Sequence, residues 1–214
     1  ARLLTASLMP NYRSLSLYRA TLNDSYDANA HLKVSYKDLF SGFFAHVEGG
    51  WRRSWSDIAY GTTLDAQARS VIEAVHQPHH STLYTLSAYG RKDIDWHTMQ
   101  LELAATSTQT ESEVLRQETL TSYRTADYNL RGTLALDLIT GYRLQYQASW
   151  RHNRSISASY TSAYNELSQQ ARLDLHLIPS RLFLKLQVSH THSDQSASEQ
   201  KDYLFVGAGL KYTM

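Results

Sequence analysis

Apolar and polar side chains alternate along most of this chain with a period of two. In the clearest stretch, Tyr128 to Leu138 places Tyr, Leu and Gly on one parity and Asn, Arg, Thr, Ala and Asp on the other. The alternation resumes from Tyr142 to Trp150, after the short break at Thr140-Gly141. A period of two is the signature of a β-strand with one apolar and one polar face. The two runs therefore predict a β-hairpin with a glycine-containing turn.

The same alternation recurs along the rest of the chain, more clearly in the C-terminal half than in the N-terminal half. The further runs are residues 31–37, 43–51, 84–88, 99–105, 171–177, 182–188 and 204–214. With a partial first run from Arg2 to Met9, the sequence predicts about ten strands.

The predicted connections between these strands fall into two kinds that alternate along the chain. Short ones lie near 38–41, 92–95, 140–141 and 179–180, and long polar ones near 56–78, 108–120, 153–168 and 190–201. Outer-membrane β-barrels have short periplasmic turns and longer extracellular loops. The pattern predicts an all-β fold, an antiparallel transmembrane β-barrel of the bacterial outer membrane with its C-terminus in the periplasm.

A soluble β-sandwich is the main alternative, because its strands also have one apolar and one polar face. Sandwich strands are commonly about 5 to 6 residues long, whereas the runs here reach roughly twice that length. Aromatic residues also gather near the predicted strand ends, as barrel girdles do. These residues are Trp51, Trp55, Tyr60, Tyr128, Tyr142, Trp150 and Tyr212. Length and aromatic placement both favour the barrel.

Composition argues against two further classes of protein, nucleic-acid-binding proteins and helical membrane proteins. The 214 residues carry 21 Lys and Arg against 20 Asp and Glu, interleaved along the chain, so no basic face predicts a nucleic-acid partner. The mean hydropathy is −0.45 and no long apolar run occurs, which excludes a bundle of membrane-spanning helices. A β-barrel remains compatible with this value, because its strands expose only every second side chain to lipid.

The first residue, Ala1, is preceded by no initiator Met and opens an incomplete strand. We expect residues 1–214 to form a single barrel domain that is N-terminally incomplete, without a plug.

The last thirteen residues, Asp202 to Met214, look like the C-terminal strand of outer-membrane barrels. In that family the alternating apolar residues serve as an assembly signal for the barrel-insertion machinery. The resemblance implies this role for Leu210, Tyr212 and Met214, although such strands usually end in Phe.

More widely, the chain resembles the C-terminal portion of TonB-dependent receptor-like barrels. It resembles especially the Bacteroidetes outer-membrane proteins that have a carboxypeptidase-regulatory-like domain before the plug. The resembling segments are Ser35 to Arg53, Leu173 to Leu186 with its Ile178-Pro179-Ser180-Arg181 turn, and the final strand. The resemblance implies a portion of a barrel of about 22 strands that works with the TonB system through a plug outside this chain.

Charged residues on the polar parity are expected to face the lumen. They are Lys33, Glu48, Arg131, Asp137, Arg143, Arg151, Arg172, Asp174 and Lys185. Such charges either pair across strands and against a plug, or line a conduit that selects solutes. Both interpretations stay open from the sequence.

Histidines and a serine are the candidate chemical groups. His76, His79 and His80 supply at most three metal ligands without a placed carboxylate, so no metal site is assigned. Ser189 and His190 are neighbours and point to opposite faces of a strand, which argues against a nucleophile and its base. The sequence therefore assigns no catalytic, cofactor-binding or metal-binding residue.

Three functions are compatible with these observations. The first is a TonB-dependent receptor-like transporter whose extracellular loops capture a ligand, without covalent chemistry. The second is a self-contained small barrel acting as a porin, an adhesin or an enzyme at the rim. The third is a structural subunit of an outer-membrane complex. In each case the expected surroundings are outer-membrane lipid and lipopolysaccharide.

Overall fold

A computed structural model of the chain describes residues 6–11, 14–18, 24–64, 70–94, 98–116, 119–139, 141–178, 181–196 and 200–212. The described residues form eleven strands and no helix. The strands are β1 (Ala6–Asn11), β2 (Ser14–Tyr18), β3 (Ser25–Asp38), β4 (Phe43–Leu64), β5 (Ser70–Ile94), β6 (Met99–Arg116), β7 (Thr119–Ile139), β8 (Tyr142–Ser157), β9 (Thr161–Ile178), β10 (Leu182–Gln195) and β11 (Lys201–Tyr212). The predicted all-β class is confirmed.

Strands β3 to β11 form one antiparallel meander in which each strand pairs with the next. The meander is open, with β3 and β11 as its first and last strands in the described part of the chain. The short strands β1 and β2 pair with each other, and β2 runs parallel to the start of β5. The predicted first strand, Arg2 to Met9, corresponds to β1, although its first four residues lie outside the described ones. It does not lie beside β3.

The predicted long polar loops are wrong. Strands are separated by only two to five residues throughout the meander. The ranges 56–78, 108–120, 153–168 and 190–201 are mostly paired strand, so that β4, β5 and β7 reach 22, 25 and 21 residues. These stretches are rich in Ser and Thr, and their apolar residues do not alternate regularly. The hydrophobic pattern therefore vanishes where the backbone ladder continues.

The short connections lie close to where they were predicted. The turn after β3 comprises residues 39–42, and Gly141 occupies the turn between β7 and β8. Gly42 and Gly141 have φ angles of 65° and 94°, which favour glycine. The predicted turn at 92–95 is shifted, because Lys92 pairs with Leu101 inside the β5–β6 ladder. Thr140 and residues 179–180 lie outside the described residues.

The carboxylate of Asp38 stabilises the first of these turns. Its Oδ1 accepts a hydrogen bond of 2.9 Å from the backbone N–H of Phe40. A hydrogen bond from Ser41, together with this backbone bond, lowers the pKa of Asp38. We call the end of the sheet at which β3, β5, β7 and β9 finish the turn end. The opposite end, to which the long strands project, is the extended end.

Side chains packed away from solvent occur mainly at the extended end. Beyond the irregularity at Ser56 and Ile58, the β4–β5 hairpin crosses over so that Gly61 pairs in parallel with Leu115 of β6. A bulge increases local strand twist, which suits this crossing. Ile58, Ala59, Ala74 and Leu115 are all buried there, as is Ala135 elsewhere in the sheet. Among the side chains that the structure describes, no continuous core extends through the sheet.

Candidate functional site: the two faces of the open sheet

One face of the meander carries a band of apolar side chains, and we call it the apolar face. Register places Leu101, Leu134, Tyr146, Ala171 and Val188 in one row across five strands. Neighbouring rows hold further leucines and small residues.

The apolar face is open to its surroundings. Leu86, Leu103 and Leu130 are exposed by 54%, 54% and 50%. Soluble monomers rarely expose a contiguous apolar patch of more than a few hundred Å². A band that crosses nine strands therefore requires a covering medium or partner.

Aromatic residues border this band on both sides. Toward the extended end lie Trp51, Tyr84, Tyr128 and Trp150, and toward the turn end lie Tyr36, Phe43, Tyr142 and Tyr212. Along β8, Tyr142 and Trp150 are separated by roughly 27 Å at about 3.4 Å per residue.

The prediction that these aromatics lie near strand ends needs correction. Trp51, Trp55, Tyr128 and Trp150 lie within their strands, where apolar alternation gives way to the polar extension. Tyr60 lies farther out, in the crossing hairpin.

Register places all nine predicted lumen residues on the opposite face, which we call the polar face. They are Lys33, Glu48, Arg131, Asp137, Arg143, Arg151, Arg172, Asp174 and Lys185. Whether this face lines a lumen stays a prediction.

Most of these side chains have partners on the same face. Lys33 Nζ lies 3.5 Å from Glu48 Oε2, and Arg172 Nε lies 2.8 Å from Asp174 Oδ2. Arg143 Nε lies 3.7 Å from Asp137 Oδ1. Two other residues of the nine pair with side chains that were not among the predicted ones. Arg151 Nη2 lies 2.9 Å from Asp127 Oδ2, and Arg131 donates a 2.7 Å hydrogen bond to Gln147.

A cavity of about 900 Å³ lies at the turn end of strands β7 to β11. Its polar lining combines Arg143, Arg172, Lys185 and Lys211 with Asp137 and Asp174. A smaller cavity of about 220 Å³ adjoins it and shares Arg172 and Lys185. The alternation placed five of these six residues on the polar parity, but their convergence depends on the pairing of five strands and was not predicted.

Ion pairs connect neighbouring strands at the extended end of the sheet. His80 Nδ1 lies 3.1 Å from Glu113 Oε2, and Arg124 forms an ion pair with Glu111. Both pairs lie on the apolar face beyond the aromatic border, so charges return to this face outside the band. Such exposed pairs contribute little stability individually, about 0 to 1 kcal/mol.

The three histidines near the extended end do not converge. His76 Nε2 lies 3.6 Å from Asp57 Oδ2, His79 Nδ1 lies 3.2 Å from the carbonyl oxygen of Gln77, and His80 contacts Glu113. Within the described ranges, no group of three or more His, Asp or Glu side chains is arranged to hold a metal ion.

His190 and His192 share the apolar-face parity at the extended end of β10. Both contact Asp202, with His192 Nδ1 at 2.7 Å and His190 Nε2 at 3.4 Å from its Oδ1. The hydrogen bond with His192 lowers the pKa of Asp202, and His190 adds to the effect. Ser189 pairs with Gln170 on the opposite face, so it cannot meet His190. These two contacts therefore join the start of β11 to β10.

The C-terminal strand presents Leu210 and Tyr212 on the apolar face, opposite Leu184 and Leu182 of β10. Met214 lies outside the described residues. The free edge of β11 leaves both of its faces exposed along its length. Its proposed role in assembly stays a prediction.

Comparison with known proteins gives no relative for this chain: no family model, curated protein or solved structure matches it. In the part of the chain that the structure describes, no helix is long and apolar enough to cross a membrane.

Proposed function

We propose that this chain forms part of the wall of an outer-membrane β-barrel of the receptor or transporter type. The observation that carries the proposal is the exposed apolar band on one face, opposite a charged face on the same strands. Transmembrane barrels have an outward apolar band about 25 Å tall, aromatic girdles and a polar interior. The apolar face would contact lipid and the polar face would line the interior.

The two ends of the sheet support an orientation in the membrane. Short turns are typical of the periplasmic side of such barrels, and longer projections of the extracellular side. The extended end would then stand outside the cell, where the crossing β4–β5 hairpin offers a ligand-capturing surface. Strand β11 runs toward the turn end, which would place the C-terminus in the periplasm.

Strand direction favours a larger barrel over one closed by these nine strands. Because every step of the meander is antiparallel, β3 and β11 run in the same direction. Antiparallel closure would need an odd number of further strands between them. Strand β1 has the required direction but pairs with β2. A wall within a larger receptor-like barrel accommodates both free edges.

Tryptophan scanning in brominated lipids tests the membrane placement. In the full-length protein without its native tryptophans, a single Trp replaces Leu134 or the adjacent Thr133. Bromines at the centre of the acyl chains should quench the fluorescence of Leu134→Trp strongly and that of Thr133→Trp weakly. Equal quenching at both positions would exclude a lipid-facing apolar face.

Solute flux tests the transport function. Proteoliposomes containing the full-length protein are shifted into iso-osmotic arabinose, and swelling is followed by light scattering. A plugged receptor should cause no swelling, whereas an open porin should cause rapid swelling. Nutrient depletion from the medium by wild-type and gene-deleted cells, with and without a protonophore, then checks energy-dependent uptake. Identical depletion by both strains would refute the transporter.

A further inference from the structure

The turn-end cavity of the polar face has unbalanced charge. Among the described residues, four cationic side chains line it, Arg143, Arg172, Lys185 and Lys211, and two acidic ones, Asp137 and Asp174.

Each carboxylate is already engaged by an arginine. Asp174 accepts a 2.9 Å hydrogen bond from Arg172 Nε, and Asp137 lies 3.7 Å from Arg143 Nε. Neither Lys185 nor Lys211 forms an ion pair with a carboxylate of the described residues. Within the described residues, the ammonium groups of both lysines therefore lack a carboxylate within ion-pair distance.

Space beside these lysines is kept open by β11. A Cβ atom added at Gly207 or Gly209 would meet no atom of the described residues within 4 Å. Gly209 is the register partner of Lys185, and Lys211 is the partner of Phe183. The Phe183 ring packs edge-on against His176, with ring centroids 4.7 Å apart. A ligand would thus have an apolar wall on one side and an open floor over β11.

The adjoining smaller cavity is lined by amides. Gln145, Gln147, Gln170 and Gln187 surround it together with Arg172 and Lys185. Glutamine side chains both donate and accept hydrogen bonds, as hydroxyl groups of a polar solute require. The two cavities form one polar track because they share two cationic residues.

We propose that this track binds a small anionic solute that bears phosphate or carboxylate groups, with Lys185 and Lys211 as its principal partners. Arg143 and Arg172 contribute positive potential while they hold the two aspartates. The placement of the track inside a barrel rests on the proposed function, and the anion site deepens it by naming the solute class.

Calorimetric titration of the full-length protein in zwitterionic detergent with tripolyphosphate tests the site. We expect saturable binding that weakens as salt is added, because ions screen exposed charges. Replacing both lysines, by Lys185→Gln with Lys211→Gln, should weaken binding by roughly tenfold or more, since two charge pairs are lost. The matched control is Lys201→Gln, on the same strand as Lys211 but at the extended end. It should bind as the wild type does.

Charge-conserving Lys185→Arg with Lys211→Arg provides a second variant that should retain binding. Absence of binding to the wild type, or equal binding by wild type and the doubly glutamine-substituted protein, would overturn the site. Failure of the membrane placement is separately visible. If brominated lipid does not quench Leu134→Trp but tripolyphosphate binding still depends on the two lysines, the barrel is refuted and the anion site is supported.

Discussion

Leu134→Arg is the substitution that most directly tests the two-faced sheet in its proposed setting. Leu134 lies in the apolar row between Leu101 of β6 and Tyr146 of β8. If the apolar face contacts lipid, an arginine near the bilayer midplane costs about 2 to 4 kcal/mol. Because about 1.4 kcal/mol corresponds to a tenfold change in an equilibrium constant, the equilibrium constant for unfolding should rise by roughly 30-fold to several hundred-fold.

The neighbouring residue supplies a matched control on the opposite face. Thr133 pairs with Glu102 of β6 and Gln147 of β8 on the polar face. An arginine there can reach a carboxylate and an amide, so Thr133→Arg should change the free energy of unfolding by less than about 1 kcal/mol. The two variants differ by one position along the chain and by the face that receives the charge.

A second control separates depth in a bilayer from face alone. Ser122 belongs to the same strand and the same face as Leu134, but it lies on the exposed extension beside Glu113. The cost of a lipid-facing arginine falls to about 0 to 1 kcal/mol away from the midplane. Ser122→Arg should therefore be nearly neutral.

Equilibrium urea unfolding of the full-length protein in phosphatidylcholine vesicles measures all three variants. Resistance of the folded band to SDS at room temperature shows which variants fold. The reasoning is refuted if Thr133→Arg costs as much as Leu134→Arg, or if Ser122→Arg costs as much as either.

Two local substitutions test contacts at the extended end. Gly61→Ala would bring a Cβ within 2.8 Å of Leu115 Cδ2. It should therefore lower the free energy of local opening at the β4–β5 crossing, measured by hydrogen exchange, by about 1 to 3 kcal/mol. The control Gly90→Ala should leave this free energy unchanged, because an added Cβ there meets no atom within 4 Å. Contact with His192 lowers the pKa of Asp202 in the folded protein. The ionised Asp202 carboxylate therefore stabilises the fold above its unfolded pKa of about 3.9, and this stabilisation is lost as pH falls through its folded pKa. Exchange at the start of β11, corrected for intrinsic rates, should therefore accelerate in wild type between pH 6 and pH 3. Asp202→Asn should exchange fast at both pH values, and an unchanged acid step in this variant would contradict this role of Asp202.

The strand alternation predicted much of the fold, because the parity of a residue depends only on its immediate neighbours. From Tyr128 to Leu138 and from Tyr142 to Trp150, alternation was enough to separate the two faces that register later placed across nine strands. The same reasoning placed Lys185 on the polar parity before any pairing was known.

The extent of the strands and the meeting of distant residues were decided by tertiary structure. The extensions of β4 and β5 lack a regular apolar alternation, so no local pattern marked them as paired, although backbone hydrogen bonds join the two strands there. The burial of Leu115 under Gly61 and the convergence of Lys185 with Lys211 each depend on register between separate strands. Register sets which side chains become neighbours in space, and it is a property of the assembled sheet that no single strand encodes.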